Sequence, residues 1–161
     1  MDEMGPLQTI PRGGRSWGRK PALRPDRYRR RGTVQLLAAF APHLGCGVGR
    51  PVRRKTGEAI LEFLQQDVLP AFPDGMIYLV WDNLSAHKKA VGLWNPAPVR
   101  VRFHWTPTNA SWLNLIEPWF SVLERTALHN TNLKSTEEIG EHLLDGIAYL
   151  NAHPKPYRWD K

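Results

Sequence analysis

The pattern of apolar and polar residues predicts strands and helices along most of the chain. Thr33 to Phe40 is a nearly continuous apolar run, which indicates a buried strand, and the glycines of 44–50 allow a turn into a second, shorter strand. Residues 99–105 alternate between apolar and polar side chains, which is typical of a strand with one exposed face. We therefore predict a hairpin formed by the first two strands, followed by a half-exposed strand later in the chain. Three tryptophans are expected in the core: Trp81, Trp105 and Trp119.

Capping residues and helical spacing mark the helices. Thr56 is placed to cap a helix that runs to about Leu69 and ends at Pro70, and a short helix is expected from about Ser85. Residues 135–138 form a capping-box pattern at the start of a last helix, which is expected to stop at residues 153–154. Because strands come first and then alternate with helices, we predict an α/β domain with a mixed sheet flanked by helices.

Composition and charge add a substrate class to this picture. A chain of 161 residues with 42% hydrophobic content is expected to form one domain, 1–161. The formal charge of +7 is concentrated in residues 1–55, which hold 13 Lys and Arg against three acidic residues. Residues 5–31, rich in Pro, Gly and Arg, are predicted to form a long basic loop. Such a surface suits nucleic acid, although a merely solubilising role explains the same charge equally well.

Two acidic residues stand at the ends of predicted elements. Asp82 follows the apolar run Ile77 to Trp81, where open α/β sheets place ligand sites, and it also suits a turn or a cap of the next helix. Glu117 opens an amphipathic helix, and Asn114 can form a capping box with it. Taken singly, the capping box is the better explanation of Glu117.

Asp2 is a third candidate, and it gains weight only together with the other two. Hard divalent cations take several oxygen ligands, and two-metal phosphoryl-transfer sites collect carboxylates from separate elements.

The single cysteine, Cys46, excludes an intramolecular disulfide and a cysteine-based zinc site, and it fits a reducing, intracellular setting. No run of 18 apolar residues suggests a membrane span.

Several ordered motifs resemble the catalytic domain of mariner-superfamily transposases, in particular their bacterial insertion-sequence branch. The motifs are Asp2-Glu3-Met4-Gly5-Pro6, the loop 11–17, Val80-Trp81-Asp82-Asn83 with His87, and Trp105-Thr106-Pro107 continuing through 111–117. The 34 residues 83–116 between the second and third acidic residues match the usual gap of that branch. These transposases belong to the Asp-Asp-Glu (DDE) superfamily and share a ribonuclease-H-like fold with retroviral integrases, so the resemblance implies that fold.

The resemblance also implies an activity and a set of site residues. Asp2, Asp82 and Glu117 would be the catalytic residues and the ligands of two Mg²⁺ ions, with Mn²⁺ as a substitute. The implied reaction is DNA nicking at element ends, after which the freed 3′-hydroxyl attacks target DNA. Asn83 and His87 are expected beside the ligands, although a solvated position at a helix start explains His87 equally well.

DNA contacts are expected from the basic segment, from a smaller basic cluster and from the loop before Glu117. The expected residues are Arg12, Arg15, Arg19, Lys20, Arg29, Arg30, Arg31, Arg53, Arg54, Lys55, Asn109, Ser111 and Trp112. The implied partners are element-end and target DNA and further copies of the chain assembled on that DNA. The implied location is the bacterial cytoplasm, in association with the nucleoid and without a membrane.

The N-terminus departs from the family pattern. Family members carry a helix-turn-helix region before the catalytic domain, and a strand leads into their first catalytic aspartate, whereas here only Met1 precedes Asp2. We therefore expect the first strand to be largely missing and Asp2 to be the least securely held ligand. An upstream reading frame joined by frameshifting and a truncated remnant both explain the departure. Two rival functions follow: an inactive remnant that only binds DNA, and a Mg²⁺-dependent nuclease of the same fold that never joins DNA ends.

Overall fold

The computed structural model describes residues 1–9, 32–94, 99–107 and 114–158. Five strands and five helices are assigned within these ranges. They are β1 (Asp2–Gln8), β2 (Thr33–Ala41), β3 (Cys46–Val52), α1 (Gly57–Phe63), α2 (Leu69–Ala71), β4 (Ile77–Trp81), α3 (Ser85–Leu93), β5 (Val101–Trp105), α4 (Ile116–Ala127) and α5 (Thr136–Ala152), with a π-helical turn, Leu64–Val68, joining α1 to α2.

The strands form an antiparallel group and a parallel pair that meet at Met1. β1, β2 and β3 are neighbours in that order and antiparallel, so the predicted hairpin of β2 and β3 is confirmed. β4 and β5 are parallel, with Trp81 opposite Trp105. The backbone nitrogen of Met1 donates a hydrogen bond to the carbonyl of Val80 (2.8 Å), which places the start of β1 beside β4. Antiparallel and parallel strands therefore occur together, as predicted for a mixed α/β domain, and the arrangement is compatible with a ribonuclease-H-like fold.

Two helical layers cover opposite faces of this sheet. Along β2, Leu36 and Ala38 pack into a core with α4 and α5, whereas Leu37 and Ala39 pack into a second core with α1 and α3. Because successive side chains of a strand point to opposite faces, this division assigns each strand residue to one layer or the other. The alternation therefore decides which helix each acidic strand residue can meet.

The helices begin where the capping residues predict. The hydroxyl of Thr56 accepts a hydrogen bond from the backbone of Ala59, and Ser135 caps α5 in the same way. Pro70 does not end its helix as predicted, because it lies inside α2 just after the π-helical turn. Because proline has no N–H, it leaves no backbone donor unpaired where the π-helical turn gives way to α2. Within the described part of the chain, none of the helices has the length and apolar character needed to cross a bilayer.

β1 shows that the expectation of a largely missing first strand was wrong. The strand has seven residues, and residues 5–8, predicted as the start of the basic loop, belong to it. The sequence pattern does not indicate this strand, because Gly5 and Pro6 break the alternation of side chains and are poor strand formers. The ladder tolerates them through a register shift between Met4 and Leu7, and both of these side chains are buried.

The tryptophans follow the prediction in two cases of three. Trp81 and Trp119 are buried, but Trp105 is 38% exposed. Trp105 stacks one face on Trp81, with ring centroids 5.3 Å apart, and belongs to β5, whose only strand partner in the described sheet is β4. An aromatic residue at such an edge packs one face against its neighbour and exposes the other. The alternation of residues 99–105 does not reveal that exposure.

Candidate metal centre

Asp2 lies at the start of β1 and Asp82 lies directly after β4, two strands that the hydrogen bond of Met1 to Val80 brings together. In β1, Met1 packs into the core under α1 and α3, whereas Met4 packs into the core under α4 and α5. Asp2 therefore points to the α4 side and Glu3 to the α3 side. Asp82 follows directly after β4, next to the buried Trp81, and its carboxylate contacts His87 of α3.

Asp2 is held by its strand and by a buried amide. Asn114 donates from Nδ2 to Oδ2 of Asp2 (2.7 Å) and to the carbonyl of Met1 (3.5 Å), and Asn114 is only 4% exposed. The predicted capping box of Asn114 with Glu117 is wrong, because α4 begins without a side-chain cap and the Asn114 amide is committed to Asp2. The first acidic residue, expected to be the least securely held, is thus fixed between two elements.

Asp82 is oriented by two donors that reach the same oxygen. Its Oδ1 accepts from the backbone of Leu84 (3.0 Å), the turn predicted from sequence, and lies 2.9 Å from Nδ1 of His87. His87 is fully buried and stacked on Trp81, so its interpretation as a solvated residue is wrong. The hydrogen bonds of the described residues leave Oδ2 of Asp82 available to a cation.

The side chain of Asn83 binds the segment that follows β5 and none of the three predicted ligand carboxylates. Its Nδ2 donates to the carbonyl of Thr106 (2.7 Å), and the backbone of Thr106 in turn donates to the carbonyl of Trp81 (2.9 Å). These two hydrogen bonds tie the end of β4 to the residue that follows β5. Asn83 thereby fixes the turn on which Asp82 stands.

Glu117 lies in the first turn of α4 with an exposed side chain. Partial burial, and after it the negative charge of Asp2, raise the pKa of Glu117. The carboxylates of Asp2 and Glu117 are therefore electrostatically coupled across the gap between β1 and α4. A divalent cation between such groups would remove the repulsion, because it needs several oxygen ligands and neutralises their charge.

Glu3 is a site residue that sequence reasoning did not select. Its side chain is 5% exposed, and Oε1 lies 3.5 Å from Nε2 of His87. Burial, followed by its hydrogen bond to Asp2, raises the pKa of Glu3 to about 8. Asp2, Glu3 and His87 each offer a ligand atom within 4.8 Å of the other two. The alternation of β1 would have pointed to Glu3, had that strand been recognised in the sequence.

The raised pKa of Glu3 predicts a pH-dependent stability that the variant Glu3→Gln lacks. Since this pKa rises from 4.5 to about 8 on folding, the contribution is present below pH 4.5 and is lost as the pH rises to about 8. In EDTA, the free energy of unfolding of the wild type should fall relative to Glu3→Gln by at most about 1.4 kcal/mol per pH unit in that window. Urea unfolding between pH 5 and 9 measures it, with Glu141→Gln, an exposed carboxyl of α5, as the control. A difference between wild type and Glu3→Gln that stays constant with pH contradicts the prediction.

Most of the predicted DNA-contacting residues fall outside the part of the chain that the structure describes. These are Arg12, Arg15, Arg19, Lys20, Arg29, Arg30, Arg31, Asn109, Ser111 and Trp112. Arg53, Arg54 and Lys55 are described and exposed after β3, and the Arg53 guanidinium lies 3.9 Å from the carboxylate of Glu137, which is also exposed. The charge of Lys55 acts to lower the pKa of Glu3, so this short basic cluster is within electrostatic reach of the acidic site.

The predicted ligands Asp2, Asp82 and Glu117 have the chemistry that suits a hard divalent cation, whereas the described ligand atoms that lie within 4.8 Å of one another belong to Asp2, Glu3 and His87. Asp2 and Asp82 come from adjacent strands and Glu117 from a helix, all three offer carboxylate oxygens, and buried amide and imidazole groups hold two of them in place. Oxygen donors of this kind select Mg²⁺ or Mn²⁺ over softer ions.

Searches of curated proteins and of solved structures returned no match to this chain. A family model described as DDE superfamily endonuclease matches residues 1–140, which include every element from β1 to α4 and all three carboxylates of the site. This match covers most of the 161 residues. The chain belongs to the DDE superfamily endonucleases, a family of nuclease and transposase domains that act on DNA.

Proposed function

We propose that this domain is the catalytic part of a transposase from the bacterial insertion-sequence branch of the mariner superfamily. It would nick DNA at the ends of its element and join the resulting 3′ ends to target DNA. The observation that carries the proposal is the position of Asp2: it offers a ligand atom within 4.8 Å of His87, whose Nδ1 lies 2.9 Å from Asp82, and after partial burial its charge is the second cause that raises the pKa of Glu117. Asp2 is thus linked electrostatically to Glu117 on one side and to His87 and Asp82 on the other, which supports the proposal of a common site.

Asp2, Asp82 and Glu117 would hold two Mg²⁺ ions, or Mn²⁺ in their place. When bound, such a pair polarises the scissile phosphodiester, lowers the pKa of a water and stabilises the leaving 3′-oxygen. The chain's own contribution is to hold the carboxylates before the ions arrive. Asn114 fixes Asp2, and His87 with the Leu84 backbone fixes Asp82.

The substrate and assembly follow from charge and family. The acidic site needs basic surroundings to accept a phosphate backbone, and Arg53, Arg54 and Lys55 offer part of them, with the basic residues of 12–31 as further contacts. Element-end and target DNA would both pass this site, on an oligomer of the chain in the bacterial cytoplasm. An upstream helix-turn-helix region would supply recognition of the element ends.

Incubation of the purified chain with supercoiled plasmid tests the proposal. In Mg²⁺ we expect open-circular product, which EDTA reduces to background because the carboxylates alone cannot activate water. A labelled oligonucleotide with a free 3′-hydroxyl should become joined to the plasmid in the same buffer. Gel electrophoresis resolves both products.

Three outcomes separate the candidate functions. Nicking with joining supports the transposase. Nicking without joining indicates a nuclease of the same fold, and salt-sensitive DNA binding without nicking indicates an inactive remnant. Cooperative unfolding of the purified chain, measured first, ensures that inactivity is not the absence of a folded domain.

A further inference from the structure

A buried chain of side chains connects the two strand-borne carboxylates of the site. The backbone N–H of Glu3 donates to Oδ1 of Asp2 (2.8 Å), and Oε1 of Glu3 lies 3.5 Å from Nε2 of His87. On the other side of the ring, Nδ1 lies 2.9 Å from Oδ1 of Asp82. Asp2 and Asp82 are therefore linked through Glu3 and His87, on the α3 side of the sheet.

The middle of this chain contains two buried polar atoms that lie opposite each other. Among the described residues, Oε1 of Glu3 and Nε2 of His87 have no hydrogen-bond partner, and the two side chains are 5% and 0% exposed. Buried polar atoms without partners are costly and uncommon in native proteins. A proton held between them satisfies both, whichever of the two atoms carries it.

The orientation of the ring depends on this contact. Nδ1 faces a carboxylate oxygen and must carry a hydrogen to donate to it, so Nε2 is left to face Glu3. Stacking on Trp81, with ring centroids 4.8 Å apart, fixes the plane of the ring but not which nitrogen is protonated. The group that faces Nε2 determines which of the two ring nitrogens is protonated.

We propose that Glu3 is a positioning residue of the metal centre, which locks His87 in the state that donates Nδ1–H to Asp82 and so leaves Asp82 Oδ2 facing the cation. The inference rests on the proposed function, because it assumes that Asp82 binds the metal. The reach of the Glu3 side chain matters here more than its charge. Partners of this kind typically change metal affinity or activity by about 10- to 100-fold.

Two substitutions of Glu3 distinguish the effect of its side-chain length on metal binding from the effect of its charge. Glu3→Gln removes the charge but keeps a side chain of the same length, whose amide can donate to Nε2 of His87. Glu3→Asp keeps the charge but is one methylene too short. We expect the Mn²⁺ dissociation constant, measured by calorimetry, to rise about 10- to 100-fold in Glu3→Asp and to stay within about 3-fold of wild type in Glu3→Gln. The Mg²⁺ concentration that half-saturates plasmid nicking should follow the same order.

A variant on the other side of the contact keeps the test decisive if Glu3→Asp does not fold. His87→Asn retains an N–H close to the position of Nδ1 but nothing that reaches Glu3, so it should weaken Mn²⁺ binding as Glu3→Asp does. Since both variants break one contact, the double variant should be no weaker than either single one. Wild-type Mn²⁺ affinity in the short variants, or equal loss in Glu3→Gln and Glu3→Asp, overturns the inference. Failure of the proposed function is distinct, because Asp82→Asn would then bind Mn²⁺ and nick DNA like the wild type.

Discussion

Asp82→Asn and Glu117→Gln are each expected to lower the rate of Mg²⁺-dependent plasmid nicking by roughly 10²- to 10³-fold or more, which is the scale on which loss of one electrostatic partner of a transition state acts. Each substitution replaces a carboxylate by an amide of the same shape, so that packing is preserved while a negative ligand is lost. In Asp82→Asn, the amide can also present an N–H to the nitrogen of His87 that Asp82 now accepts from, which disturbs the ring as well. First-order nicking rates over a range of Mg²⁺ concentrations measure the effect.

Stability separates this loss of activity from a loss of folding. Partial burial, and after it the Asp2 charge, raise the pKa of Glu117, so replacing Glu117 by an uncharged amide relieves both effects and should not lower the free energy of unfolding in EDTA. Asp74→Asn and Glu141→Gln, carboxylates of an exposed turn and of the exposed side of α5, serve as matched controls and should nick at the wild-type rate. Undiminished nicking in both Asp82→Asn and Glu117→Gln would remove the basis for the carboxylate site.

The sequence predicts those elements whose pattern is uninterrupted and whose ends carry caps. β2 and β4 are buried apolar runs, and Thr56 and Ser135 cap their helices as their identities predict. β1 escapes the same reasoning because Gly5 interrupts its alternation, and only pairing with β2 restores the strand. Tertiary pairing here overrides a weak local preference.

In the site, contacts between residues close in sequence could be predicted, whereas contacts between residues distant in sequence could not. The motif around Asp82 contains its turn and His87 within six residues, so one stretch of sequence points to both. Asn114 has a local explanation, the capping box, that competes with a partner 112 positions away, and no rule of spacing reveals Asp2 as that partner. Glu3 likewise acquires its role only when α3 packs against β1, because a glutamate near a chain end is otherwise expected to be solvated.

The core beneath the site predicts a second large effect, from Trp81→Ala. Trp81 is fully buried and stacks on His87 (4.8 Å), Trp105 (5.3 Å) and Phe103 (5.4 Å). Removing it should lower the free energy of unfolding by about 3–5 kcal/mol, the usual cost of a large aromatic deleted from a core. The imidazole of His87 would lose the surface that holds its plane, so the Mg²⁺ requirement for nicking should also rise, by about 10-fold or more.

Phe63→Ala distinguishes support of the site from general stability. Phe63 belongs to the same core and is also fully buried, but it lies on α1, and its ring stacks on none of the site residues. Its removal should cost a similar free energy of unfolding by urea titration, while the Mg²⁺ half-saturation, measured at a temperature where both variants are folded, stays at the wild-type value. Trp81→Phe, which keeps a ring under His87, should recover most of the Mg²⁺ affinity but only part of the stability. Equal changes of Mg²⁺ half-saturation in Trp81→Ala and Phe63→Ala contradict a specific role, because packing of the core would then act on the site only through overall stability.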